Sequence, residues 1–155
     1  MSSFLAAHAM TLGAAFTCLL AFAKGGPSEK AGAALIGGAW IVSIAAGVLS
    51  VTSPYFMLGL DGAAALGFLI LALLFSSAWL GVAMLLQAGE LFLHSTYLAC
   101  DGSHMRAYVE RVNLLSAAML WLFLGAVLLA WGRRVWARRR AADQAGAAEA
   151  GAPVA

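Results

Sequence analysis

Charged side chains are scarce in this sequence of 155 residues: Lys, Arg, Asp and Glu make up 10% of it, and hydrophobic residues 63%. A soluble globular domain carries about a quarter charged residues. A water-soluble fold of this length would have too little polar surface to cover its core, and the exposed apolar patches would aggregate. The lack of charge therefore excludes an ordinary soluble domain and predicts an all-α, integral membrane helical bundle.

Cysteine is also rare, and common catalytic motifs are missing. Cys18 and Cys100 lie in different apolar runs, so a disulfide framework is excluded and both thiols are predicted to be unpaired. The sequence has no Gly-rich phosphate loop, no nucleophile elbow, no Cys-x-x-Cys and no HExxH. Nothing in it supports an enzyme. The net charge of +2 comes mostly from a cluster near the C-terminus and does not predict nucleic-acid binding.

Apolar sequence is abundant, and five segments are long enough to cross a bilayer, which takes about 20 residues. They are Phe4–Ala23, Ala31–Val51, Phe56–Phe75, Ala78–Ala99 and Leu114–Gly132. As one helix the third and fourth segments would reach roughly 66 Å, about twice the bilayer, so a turn is predicted at Ser76 and Ser77. The first segment has no Lys or Arg before its apolar run and is interpreted as a span, not a signal peptide.

Basic residues predict the topology. Five spans would place seven of them on one side of the membrane, namely Lys24, Lys30, Arg133, Arg134, Arg138, Arg139 and Arg140, and would leave Arg106 and Arg111 on the other. The positive-inside rule then predicts an inner-membrane protein with its N-terminus outside and its C-terminus in the cytoplasm. Residues 1–132 are expected to form the bundle. Residues 133–155, basic and then rich in Ala and Gly, are expected to form a disordered cytoplasmic tail attracted to anionic lipid.

Polar side chains recur at helical spacing inside the fourth segment. Gln87, Glu90, His94 and Tyr97 stand at i, i+3, i+7 and i+10, which is one face of a helix. In the five-span arrangement, His8 and Asp61 lie within about 10 Å of the outer surface, at the depth of His94. Glu90 lies deeper, close to the bilayer centre, where an ionised carboxylate is costly, and His94 one turn away is its predicted partner. These six residues are the candidate intramembrane polar pocket.

Several functions are compatible with such a pocket. The leading interpretation is a non-catalytic accessory or structural membrane protein, in which the polar groups bond one another and fix helix register. The alternative is a binding or translocation module for protons, cations, a quinone or another small ligand. Two further options are a haem held by His8 and His94 and a divalent metal bound by His8, Asp61, Glu90 and His94, although no standard metal-ligand spacing is present. The expected partners are the lipid bilayer and either a second copy of the chain or a larger membrane complex.

The positions of small residues and tryptophans predict how the helices pack. Three small-xxx-small pairs favour close helix approach: Ala33 with Gly37, Ala34 with Gly38, and Ala63 with Gly67. Trp40 and Trp121 fall mid-span, where an indole N–H needs a partner, so both are predicted to turn inward. Met105, Tyr108, Val109 and Val112 recur at helical spacing, which predicts that the fifth helix begins before its span.

The sequence resembles a group of short bacterial inner-membrane proteins of uncharacterised activity. The similar features are "SEK" at Ser28 to Lys30, Trp40, Asp61, Trp79, Gln87, His94, and "RAY" at Arg106 to Tyr108. They extend over most of the chain between Ser28 and Gly132. The resemblance implies an intact small membrane module and carries no activity, cofactor or substrate with it.

Overall fold

A computed structural model describes residues 2–50, 53–100 and 105–150, with side chains described for residues 10–50, 53–100 and 107–144. Every regular element in these ranges is an α-helix. The five helices are α1 (Ser2–Lys24), α2 (Pro27–Val48), α3 (Pro54–Phe75), α4 (Ala78–Ala99) and α5 (Met105–Ala150). The all-helical prediction is confirmed.

The turn between α1 and α2 is closed by a buried carboxylate. Gly26 precedes Pro27, whose missing N–H costs nothing at the first position of a helix. The Gly26 backbone N–H donates to Glu29 Oε2 at 2.7 Å, and the Ser28 hydroxyl donates to Glu29 Oε1 at 2.8 Å. Glu29 is only 7% exposed, so its charge is satisfied by hydrogen bonds at the positive end of α2.

The reversal between α3 and α4 occurs at the predicted serines. α3 ends at Phe75, Ser76 adopts a left-handed conformation with φ of 46°, and Ser77 is the residue before α4. The Ser77 side chain makes no capping hydrogen bond. The position of the turn is confirmed, but its reversal comes from the backbone of Ser76 and not from a hydroxyl cap.

The five helices pack as a closed ring. Each helix contacts the next one in sequence, from α1 and α2 to α4 and α5, and α1 also contacts α5. A smaller contact between α2 and α5 crosses the ring. The short connections make successive helices antiparallel, as in other helical bundles. The end of the ring where α1 finishes and α2 starts is called the packed end, and the opposite end is called the polar end.

The packed end is filled by apolar side chains from all five helices. One buried cluster consists of Ala21, Ala33, Phe123 and Val127, and its neighbour consists of Phe68, Leu80, Ala83 and Met119. Trp79 joins the two clusters and stacks on Phe123, with ring centroids 5.5 Å apart. The Trp79 ring lies so close to Gly32 that a methyl group there would collide with it. Gly32 is therefore required by the close approach of α2 and α4.

The predicted small-residue pairs have different outcomes. The Cys18 thiol donates to the Ala33 carbonyl oxygen at 3.7 Å, and a Cβ on Gly37 would lie 3.8 Å from Cys18 Sγ, so this pair faces α1. A Cβ on Gly67 would lie 2.9 Å from the Leu35 methyl groups, which places α3 close to α2. A Cβ on Gly38 would meet no atom within 4 Å, so the Ala34 and Gly38 pair makes no close helix contact in the described part of the chain.

Three further predictions concern α5. Its early start is confirmed, because the helix begins at Met105. The tail predicted to be disordered from Arg133 is instead helical as far as Ala150, since Ala and Arg are strong helix formers. The prediction that Trp121 turns inward is wrong: it is 71% exposed, because it lies on the opposite face of α5 from buried Met119 and Phe123.

Three stretches among the described residues are long and apolar enough to cross a membrane, namely Pro27–Val48, Pro54–Phe75 and Ala107–Gln144. In α1 the described apolar stretch is the shorter Met10–Lys24. α4 has the same 22-residue length as α3, but its polar face of Gln87, Glu90 and His94 lowers its hydropathy. The exposed surface of the bundle is rich in large apolar side chains, which supports a membrane location.

Candidate functional site

Six polar side chains meet inside the polar half of the ring. They come from three consecutive helices: Asp61 from α3; Gln87, Glu90 and His94 from α4; and Tyr108 and Ser116 from α5. Because α4 packs between α3 and α5, its polar face can bond to both neighbours. These six residues are called the polar chain below.

The deeper part of the polar chain is centred on Glu90. The Ser116 hydroxyl donates to Glu90 Oε1 at 2.7 Å. Gln87 Nε2 donates to Glu90 Oε2 and to Asp61 Oδ1, each at 3.0 Å. Gln87 and Glu90 are both 8% exposed. A single amide group therefore holds the two carboxyl groups together across the α3/α4 contact.

The shallower part is centred on His94. Its Nε2 lies 2.7 Å from Asp61 Oδ2, with the two side chains 12% and 17% exposed. Asp61 Oδ2 is nevertheless without an aligned hydrogen-bond donor among the described residues, because the His94 N–H does not point directly at it. His94 Nδ1 contacts the Tyr108 hydroxyl, and Tyr97 stacks on the Tyr108 ring with centroids 4.3 Å apart.

The polar chain runs along the helix axes. Measured from the ends of the helices at 1.5 Å per residue, Tyr108 lies about 5 Å from the polar end, His94 about 8 Å, Asp61 about 10 Å and Glu90 about 14 Å. Ser116 on α5 lies about 17 Å from the same end. Continuous hydrogen-bonding groups thus connect the rim of the bundle to its middle.

A cavity of about 350 Å³ lies beside the polar chain. Asp61, Gln87, Glu90, His94 and Ser116 line one side of it, and Trp40, Ser43, Ile44, Met57, Leu60 and Val112 are among its other walls. A smaller cavity of about 60 Å³ continues beneath Glu90 to Phe68 and Met119 of the packed end. The polar chain therefore borders a pocket that is partly open at the surface, where Ile44 is 53% exposed, and does not fill the ring.

The charges of the site are unequal. Asp61 and Glu90 offer two negative charges, whereas His94 offers one positive charge. Neither lysine nor arginine is among the described residues that line the cavity. An uncompensated charge at the middle of a membrane costs about 3 kcal/mol or more. With His94 protonated and both carboxyl groups ionised, the site carries one net negative charge. It becomes neutral only when it holds one more proton or one monovalent cation.

Most of the predicted pocket residues lie together. Asp61, Gln87, Glu90 and His94 line the cavity, whereas Tyr97 stacks on Tyr108 and lines a separate pocket with it. His8 lies in α1, but its side chain is outside the described residues. The predicted pairing of Glu90 with His94 is wrong: Glu90 bonds to Gln87 and Ser116, and the partner of His94 is Asp61.

Three residues of the site do not emerge from sequence reasoning. The sequence predicts that Trp40 is a packing residue and that Tyr108 belongs to the start of the fifth helix. It makes no prediction for Ser116. The sequence does contain a pattern that could have identified Ser116. The inward face of α5 carries residues at helical spacing, namely Val112, Ser116, Met119, Phe123 and Val127. Ser116 is the polar member of that otherwise apolar stripe.

The metal and haem options meet specific obstacles. No group of three His, Cys, Asp or Glu side chains within the described residues is arranged to hold a metal ion. Both ring nitrogens of His94 are engaged, one with Asp61 and the other with Tyr108. Iron ligation by His94 would require one of these contacts to break.

Comparisons with protein-family models, with curated proteins and with solved structures find no match to this chain.

Proposed function

We propose that the protein is a small multi-pass membrane protein whose polar chain binds and releases a proton, or a small cation in its place. The observation that supports this most directly is the excess of carboxyl groups over basic groups in one connected, cavity-lining network. Ionisable groups inside a membrane are costly and usually mark ion or proton sites.

The proposal includes five spans in an inner membrane, with the N-terminus outside and the C-terminus in the cytoplasm. The ring of five helices supports this count, since α1 and α4 occupy positions equivalent to those of the three strongly apolar helices. Arg133 to Arg140 then lie on the cytoplasmic side. Reporter fusions at the two ends should report opposite compartments. The same compartment for both ends would refute the five-span topology.

A proton site in this position has a defined set of charged and titratable neighbours. Glu90 faces Asp61 on α3, His94 on its own helix, and Tyr108 on α5. α2 contributes Trp40 and Ser43, which carry no charge. Polar contacts therefore run from Tyr108 at the rim through His94 to Asp61. The Gln87 amide, which only donates, connects Asp61 to Glu90 without itself relaying a proton.

The proposal is tested by infrared spectroscopy of the purified protein in lipid nanodiscs. We expect a pH-dependent band from a protonated carboxyl group that disappears in Glu90→Gln and persists in Asp143→Asn. Asp143 is exposed on the extension of α5 beyond its span, so its variant is a matched control. A spectrum in which the band is absent from the wild type, or unchanged in Glu90→Gln, would refute a proton site at Glu90.

A second candidate function is that of a structural accessory protein. It is favoured by the hydrogen bonds within the polar chain, which satisfy both oxygens of Glu90 and hold α3, α4 and α5 in register. Five spans are few for a transporter acting alone, and exposed Trp121 offers a contact to a second copy or a larger complex. On this alternative, Glu90→Gln changes thermal stability but no pH response.

A further inference from the structure

We infer that the cavity beside the polar chain binds a small organic ammonium ion with a short apolar body, in exchange for the proton of the site. This inference rests on the proposed proton site and names the class of ligand that shares it. It comes from the size of the cavity, the chemistry of its two sides and the free acceptor capacity of Asp61.

The cavity is larger than a proton site needs. A volume of about 350 Å³ falls within the range of small-molecule pockets, roughly 300–1,000 Å³, whereas a water occupies about 30 Å³. A bare metal ion is a poor occupant, because the part of the chain that the structure describes holds no suitable set of three ligands. The available space suits a molecule of several non-hydrogen atoms.

One side of the cavity is suited to a positively charged nitrogen. Asp61 Oδ1 and Glu90 Oε2 are no more than about 6 Å apart, because each lies 3.0 Å from Gln87 Nε2. An ammonium nitrogen has three donors and can contact both carboxyl groups. Asp61 Oδ2 is buried and has no aligned hydrogen-bond donor among the described residues. It can therefore accept a hydrogen bond from one N–H group of the ammonium ion.

The other side of the cavity is suited to an apolar body. Its walls include Ile44, Met57, Leu60 and Val112. Trp40 contributes an aromatic surface, which attracts ammonium groups and covers aliphatic carbon equally well. An anionic ligand would meet two carboxyl groups and no lysine or arginine among the described lining residues. The cavity therefore selects for a cationic head on a hydrocarbon body.

The charge balance links this ligand to the proton. The site is neutral with one proton on Glu90 or with one ammonium ion beside an ionised Glu90, but not with both. Binding of an ammonium ion therefore releases the Glu90 proton. We expect its affinity to rise with pH over the range in which the Glu90 carboxyl band titrates.

The test is calorimetric titration of the protein in nanodiscs with n-butylammonium. Two control ligands are used: n-butanol, which has the same hydrocarbon chain without the charge, and sodium, which has the charge without the chain. We expect saturable binding of butylammonium alone. Asp61→Asn should weaken it at least about thirtyfold, as expected for loss of a buried charge partner. Asp143→Asn should bind like the wild type. Equal binding of butanol or sodium would overturn the inference.

A cavity-filling variant separates this inference from the proposed function. Ala39 lines both cavities, and Ala39→Leu adds volume there without altering any group of the polar chain. We expect it to weaken butylammonium at least about tenfold, a loss of about 1.4 kcal/mol, while the pH-dependent carboxyl band persists. Unchanged butylammonium affinity in Ala39→Leu would overturn the inference. A wild-type protein that titrates but does not bind butylammonium would refute the ligand and leave the proton site standing.

Discussion

The packed end and the polar end of the bundle are built from the same ring of helices but are filled differently. At the packed end, Phe68, Leu80, Phe123 and Val127 are at most 1% exposed, and a pocket of about 540 Å³ between α1 and α2 is lined almost entirely by apolar side chains. At the polar end, side chains bond to one another around a cavity of about 350 Å³. The difference suggests a division of labour in which one end stabilises the ring and the other end is available for a ligand.

The largest change in unfolding free energy is expected from truncation of a buried aromatic residue at the packed end. Phe123→Ala removes the ring that stacks on Trp79 and should lower the free energy of unfolding by about 3 kcal/mol. This value lies at the low end of the usual range, because lipid tails are as apolar as the core and only packing is lost. The measurement is detergent-induced unfolding followed by circular dichroism.

Trp121→Ala is the matched control for Phe123→Ala. Trp121 is 71% exposed and lies two residues away on the same helix, so its truncation should change the free energy of unfolding by no more than about 0.5 kcal/mol. Equal losses from the two variants would show that Trp121 is buried in an assembly. They would also contradict the assignment of the stabilising contacts to the interior of the ring.

An intermediate effect is expected from a methyl group at Gly32. Gly32→Ala pushes against the Trp79 ring, which also stacks on Phe123, and should cost about 1–3 kcal/mol of unfolding free energy through overpacking. Gly38→Ala, with no atom near its Cβ position in the described structure, should be neutral or stabilising by up to about 1 kcal/mol. The same unfolding measurement compares them. A stable Gly32→Ala protein would mean that the packed end tolerates rearrangement.

The smallest effect is expected at the polar end. Ser116→Ala removes one donor to Glu90 and should lower the free energy of unfolding by about 1 kcal/mol, while shifting the pH at which the Glu90 carboxyl band titrates. Ser95→Ala is the control, because its hydroxyl bonds to the Leu91 carbonyl oxygen of its own helix at the surface. An identical titration in the two serine variants would contradict the role of Ser116 at the polar chain.

Much of the fold is predictable because hydropathy and length report directly on single helices. The fourth segment, Ala78–Ala99, coincides with α4, and the turn lies at Ser76 and Ser77 as expected. The helical extension of α5 is not predicted, because polar composition alone does not distinguish a disordered tail from a solvated helix. Ala and Arg favour the helix, which continues past Gly132 and Gly146 to Ala150.

The site is predictable as a face but not as a set of pairs. Spacing places Gln87, Glu90 and His94 on one side of α4, and that side turns inward. It carries no information about which helix stands opposite each residue, so it assigns Glu90 to His94 although Ser116 on α5 is its partner. Helical periodicity defines the rotation of one helix, whereas a pair also depends on the order of helices around the ring.

The closure of the ring by α1 and α5 has a consequence for biosynthesis. The chain is made from its N-terminal end, so α1 is synthesised long before α5, its second neighbour in the ring. Until α5 arrives, one flank of α1 and one flank of α4 remain without their partners, and the hydroxyl of Ser116 is not yet there to meet Glu90. A chain that stops before the last helix therefore lacks both contacts that close the ring through α5 and one of the hydrogen bonds that satisfy Glu90.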